Sequence, residues 1–220
     1  MRKIACLLLG ILMMLALLVG CDADVPDPND AAGKPGTTDE EPGKDDLSKG
    51  EREGDVYKNK FLGFEFTKPA SWVYSTDAEI AAAMNIAVDQ ILGDNFKEAL
   101  KSNPAIFDMM VVDSITRTNI NVVYENLQLS FASNITEEQY VEALKHQIST
   151  TSGMTVSFSE TLEKVKLGQT EFTKCVCETT MSGATMTQVF YLKNIDGYMA
   201  SVTVTIMGGY TVAEIEAMFQ

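Results

Sequence analysis

Apolar residues follow three regimes along the chain. They run without a break over residues 4–19, nearly vanish over 22–55, and then recur with helix and strand periods from 56 to 220. In the last regime three helix starts carry the same signal. Thr76-Asp77-Ala78-Glu79, Thr136-Glu137-Glu138-Gln139 and Thr211-Val212-Ala213-Glu214 are each S/T-x-x-E/Q capping boxes, in which the hydroxyl accepts from an orphan N–H and the later side chain returns the bond. Ile135 with Tyr140, and Tyr210 with Ile215, have the spacing of a hydrophobic staple. After Thr76, the residues Ile80, Met84, Val88, Ile91 and Leu92 predict an apolar helical stripe that ends at Gly93. A shorter helix is expected over 95–102, before Pro104. Tyr140, Leu144 and Ile148 mark a third helix, and Ile215, Met218 and Phe219 a last one.

Strand patterns fill the intervals. Phe64-Glu65-Phe66 alternates, residues 106–115 form a nearly continuous apolar run, and Ile120, Val122 and Tyr124 alternate with their neighbours. Further strands are expected around Val156 and Phe158 and over 170–181, 185–193 and 198–207, with Asn194-Ile195-Asp196-Gly197 as a hairpin turn. Strands clustered in this way between helices predict an α+β class, an antiparallel β-sheet covered by helices, in one domain over residues 56–220.

The first regime, MRKIACLLLGILMMLALLVG, has Arg2 and Lys3 ahead of a run too short to span a bilayer, as in a secretory signal peptide over residues 1–20. Its end, Leu18-Val19-Gly20-Cys21, resembles the bacterial lipobox. The resemblance implies that the Cys21 thiol receives a diacylglyceryl group and becomes the first residue after cleavage. Two or more acyl chains would anchor the protein stably, where one would be marginal. The expected localisation is the bacterial cell membrane, lipid-anchored on its extracytoplasmic face. Residues 21–55 hold four of the six prolines and twelve acidic side chains against four basic ones. Such a stretch cannot bury enough apolar surface to order itself, and is expected to be a disordered acidic tether, about 110 Å at full extension.

Charge then narrows the partners. The whole chain carries −14, and residues 56–220 carry −8. Nucleic acid is excluded as a partner, because its phosphates require a Lys/Arg surface. One His in 220 residues disfavours imidazole-rich zinc sites and leaves only His146 for a Ser-His-Asp or Cys-His arrangement. His146 is expected on the outer side of its helix. No P-loop, H-E-x-x-H, G-x-S-x-G or G-x-G-x-x-G motif occurs, and Gly208-Gly209 reads as a turn. Cys175 and Cys177 share one face of a strand and are expected as small core residues, with a redox or soft-metal role as the alternative. Met109, Met110, Met181, Met186, Met199 and Met207 read as core filling. No catalytic residue, metal ligand or cofactor is expected.

One succession carries a second resemblance. Tyr57-Lys58-Asn59, Gly63-Phe64-Glu65-Phe66, Lys68-Pro69 and Trp72 follow in order, with Ile120-Asn121-Val122 and Val165-Lys166-Leu167-Gly168 later. Together they resemble the PsbP-like family, which shares an α-β-α sandwich with the Ran-binding Mog proteins. The resemblance implies that fold, and protein binding without known catalysis. Its plant members are extrinsic subunits of photosystem II, and many bacterial members are lipoproteins. Trp72 and Phe64 would be core anchors. The expected function is a membrane-anchored extracytoplasmic lipoprotein that binds an unknown protein partner or envelope component. The alternative is a small-ligand or substrate-capture lipoprotein for an envelope transporter, with strand aromatics such as Tyr191 and Tyr198 lining a pocket.

Overall fold

A computed structural model describes residues 47–129, 134–150, 154–181 and 183–220. The signal peptide, Cys21 and the tether as far as residue 46 lie outside the described residues. Eleven strands are β1 Glu51–Glu53, β2 Val56–Asn59, β3 Phe64–Thr67, β4 Trp72–Tyr74, β5 Ala105–Asp113, β6 Asn119–Asn126, β7 Met154–Phe158, β8 Glu163–Leu167, β9 Thr170–Met181, β10 Ala184–Ile195 and β11 Tyr198–Ile206. Four helices are α1 Asp77–Met84, α2 Asn95–Ser102, α3 Glu137–Ser149 and α4 Val212–Glu216, with a 3-10 turn over Val88–Ile91.

The strands form two antiparallel sheets. β1-β2-β3 is the smaller. The larger runs β4-β5-β6-β11-β10-β9-β7, with β8 also pairing β9. β7 and β8 lie one after the other along the same side of β9, against Phe158↔Cys177 and Glu163↔Lys174 respectively. The Asp196-Gly197 pair, both at positive φ, closes β10 onto β11. That is the two-residue turn whose twist suits a hairpin.

The expected helix-covered α-β-α sandwich is not the fold. Strands take 45% of the described residues and helices 23%, and the chain is β-rich with two sheets. Capping boxes explain the misreading, since they mark where helices start and not how far they run. All three boxes form. Yet α1 stops at Met84, where Asn85 takes a left-handed C-cap at φ 56°. The stripe read through to Leu92 is broken there, and Val88 and Leu92 are exposed at 40% and 43%. α4 ends after five residues, and Phe219, expected on its apolar face, forms a β-bridge with Phe66. α2 occupies the expected 95–102.

The expected tether boundary also moves. Residues 51–53 are strand β1, paired with β2 from Glu51↔Lys58 to Glu53↔Val56. Their acidic, glycine-rich composition hid this, because the ordering comes from tertiary partners and not from buried apolar surface.

The large sheet has two unequal faces. On the first, Tyr124, Val202, Val189 and Tyr191 join Phe64, Phe66, Trp72, Phe96, Ile80, Ile215 and Phe219 in the main core, beneath the small sheet, α1, α2 and α4. On the second, Cys175, Cys177, Phe190, Leu192 and Met199 meet Tyr140, Val141, Leu144 and Ile148 of α3. Gly168 joins the β8–β9 hairpin to the rest. It sits at φ +59°, and a Cβ there would lie 2.6 Å from the carbonyl oxygens of both Gln220 and Gly63.

Candidate functional site

Residues singled out in the sequence do not converge on one place. Cys175 and Cys177 are free and fully buried under α3. Burial pushes both thiols up, Cys177 to about 11, although Thr179 Oγ1 lies 3.6 Å from its sulfur. A thiol held protonated is a poor nucleophile and a poor metal ligand. His146 is exposed in the last turn of α3. Gly208 and Gly209 are a turn whose Gly208 carbonyl accepts from Thr118 Oγ1 at 3.1 Å. Met109, Met110, Met186 and Met199 are buried. Trp72 is buried against Phe66, and its indole N–H donates to the Tyr210 hydroxyl at 2.9 Å. Tyr191, expected as a pocket aromatic, is in the main core with its hydroxyl donating to Glu216 at 2.9 Å.

Three buried carboxylates escaped the sequence reading: Asp113, which accepts from the Ile115 and Thr116 N–H groups in the turn after β5, and two that face opposite sides of the large sheet. Asp108 sits where the β5–β6 register shifts between Phe107 and Met109, and it points into the main core. Its Oδ2 accepts from Tyr57 Oη at 2.7 Å and Asn59 Nδ2 at 2.9 Å, and the Gly50 N–H bridges both oxygens at 3.0 and 3.1 Å. Asn59 also donates to Tyr124 Oη at 2.9 Å and accepts from the Leu62 N–H at 2.7 Å. Burial lifts the Asp108 carboxyl to about 6; the Tyr57 and Gly50 hydrogen bonds and the charges of Lys49 and Arg52 oppose that rise. Alternation from Ile106 already sets Asp108 on the core side, but an Asp in a hydrophobic run gives little sequence signal of which partners will surround it.

This cluster fastens residues 49–52 to the domain. Lys49 and Arg52 reach Asp77 at 2.5 and 2.6 Å, and Arg52 also donates to the Ser75 carbonyl. Arg52 and Lys68 stand 5.9 and 5.8 Å from the Tyr74 ring centre, and Lys68 pairs with Asp55 at 2.6 Å. Gly50 permits the approach, since a Cβ there would overlap the Tyr57 ring.

The second carboxylate, Glu125 on β6, points to the other face. Tyr140 of α3 donates to its Oε2 at 2.6 Å, while Oε1 is buried without a hydrogen-bond partner. Burial raises its carboxyl above the ordinary range, and the Tyr140 bond opposes this.

Beyond α3 the second face carries a charge-free stripe. Register places Asn121 opposite Thr203, and Asn119 opposite Thr205, which is in turn opposite Gln188. All five are buried, so the stripe is interior. An exposed strand edge lies instead at the end of the sheet, along β7. Thr155 and Ser157 are exposed there, Val156 and Phe158 half-buried, and no further strand pairs with β7 among the described residues. No family model matches the chain, and no curated protein is a significant match to it.

Proposed function

We propose that this protein is an extracytoplasmic lipoprotein, held to the bacterial membrane through acylated Cys21, whose β-rich domain binds another protein of the envelope without catalysing a reaction. The observation that carries this reading is the Leu18-Val19-Gly20-Cys21 motif followed by an acidic, proline-rich stretch. That order is what a tethered domain requires: an anchor, a self-repelling spacer and a globular head. The fastening of residues 49–52 to Asp108 and Asp77 supports it, because a spacer pulling on a domain needs a firm point of attachment.

Small-ligand capture has less support, since Tyr191 is packed in the core with its hydroxyl engaged. The test is affinity capture of the intact chain from native membranes, with intact-mass measurement of the captured protein. A diacylated or triacylated Cys21 and a stoichiometric partner are expected. An unmodified Cys21 would remove the anchor, and a chain recovered alone would remove the binding role.

A further inference from the structure

We infer that the outer edge of β7 receives an extended segment of a partner protein as an additional strand, with apolar residues on the α3 side of that segment and Lys or Arg on the other. The inference rests on the protein-binding reading above and assigns it a surface.

β7 and β8 are both edge strands on the same side of β9, and they differ in how the edge is guarded. β8 reads Glu-Lys-Val-Lys-Leu, with Lys164 and Lys166 exposed and Lys164 paired with Glu138 at 3.5 Å. Charged side chains on an edge, Lys above all, discourage another strand from pairing. β7 reads Met-Thr-Val-Ser-Phe, with no charge and no proline. Its outer backbone, unpaired among the described residues, is therefore an open template for strand addition.

The ladder says which groups are offered. The Ser159 N–H donates to the Val176 carbonyl at 2.9 Å, continuing the Phe158↔Cys177 register. Antiparallel pairs alternate between bonded and non-bonded residues, so Ser157 and Thr155 bond inward to β9. The N–H and C=O groups of Val156 and Phe158 then face outward. Residues directly opposite on neighbouring strands share a face. The side chains of Val156 and Phe158 lie on the α3 face, packed with the cluster of Cys177 and Ile148. An incoming strand thus sets its residues opposite these two beside α3, where apolar side chains fit. Its alternate residues lie on the far face, where Ser157 is opposite the exposed Glu178. Glu160, also exposed, follows just past the strand. The neighbouring lysines are engaged already: Lys174 by Glu216 at 2.8 Å and Glu163 at 3.6 Å, and Lys145 by Glu142 at 3.0 Å. Cationic residues on the incoming strand complete this charge pattern. A second copy would instead bring together two domains of −8 each, with no countercharge supplied.

The test uses the intact lipidated chain in detergent micelles and, as probe, a ten-residue peptide of alternating Val and Lys. Hydrogen exchange is followed amide by amide. The expected result is at least tenfold slower exchange at Val156 and Phe158, with no change at Lys164 and Lys166. A Val/Glu peptide of the same length is expected to have no effect. Unchanged exchange at 156 and 158, equal protection by the Val/Glu peptide, or protection by self-association without peptide would each overturn the inference. Val156→Pro removes one outward N–H without touching the ladder to β9, and is expected to abolish protection at Phe158 in a chain that stays folded. Should that variant unfold, Ser157→Lys, which sets a like charge against the peptide, is expected to weaken binding at least tenfold. Retained binding in a folded variant contradicts the proposal. A partner captured from membranes equally by wild type and variant leaves the binding function standing and removes β7 from it.

Discussion

Asp108 and Glu125 are buried carboxylates on adjacent strands of one sheet, facing opposite ways. The first accepts from a tyrosine hydroxyl, an asparagine amide and a backbone N–H. The second has a single donor and one oxygen without a partner. Burial raises both carboxyls. The difference shows that equal burial does not mean an equal role. A carboxylate encircled by donors organises its neighbours, and removing it orphans them. A carboxylate with one donor is nearer to dispensable, because its own unsatisfied oxygen already costs stability.

The comparison can be broken most forcefully at Asp108. Asp108→Ala leaves the Tyr57 hydroxyl and the Gly50 N–H without their acceptor and removes one of the acceptors of Asn59, and should cost about 3–5 kcal/mol in urea unfolding. A loss below about 1 kcal/mol would mean that the cluster does not organise the core.

Next in size is the pH response. The Asp108 carboxyl titrates near 6 in the folded chain against 3.8 as a model group. The folded state therefore holds its proton more tightly. The stability this contributes is complete below about pH 3.8 and is lost as pH rises through about 6, a change of about 3 kcal/mol. Asp108→Asn should flatten that fall when urea midpoints are compared from pH 4 to 7. An undiminished fall in the variant would assign it to other groups.

On the other face, Tyr140→Phe removes the only donor to Glu125 among the described residues and should cost about 2 kcal/mol. The smallest effect is expected from Glu125→Gln. It keeps an acceptor for Tyr140 and discards the buried charge, so at pH 7 it should change stability by less than about 1 kcal/mol, with stabilisation the favoured sign. A loss matching Asp108→Ala would erase the distinction between the two sites.

The legible part of the fold was local. Three Thr capping boxes, the Asp196-Gly197 turn and β9 over Thr170–Met181 were readable because each depends on residues close in sequence. Strand β8 was missed because its charges mask the inward Val165 and Leu167, and β1 because it carries no apolar pattern. The candidate surface was illegible for a related reason. Val156 and Phe158 read as a strand, but whether a strand is central or terminal depends on what pairs beside it.

By itself the sequence determined the order of apolar stretch, Cys21, acidic stretch and patterned region, and the positions of most strands and helix starts. These follow from composition and from side-chain periods that act within a few residues. Tertiary structure alone decided that the strands divide into two sheets, that Asp108 meets Tyr57, Asn59 and the Gly50 N–H, and that among the described residues no strand pairs beyond β7. Each of those depends on which distant segments come together, and hydrophobic patterning specifies that a face is buried without specifying against what.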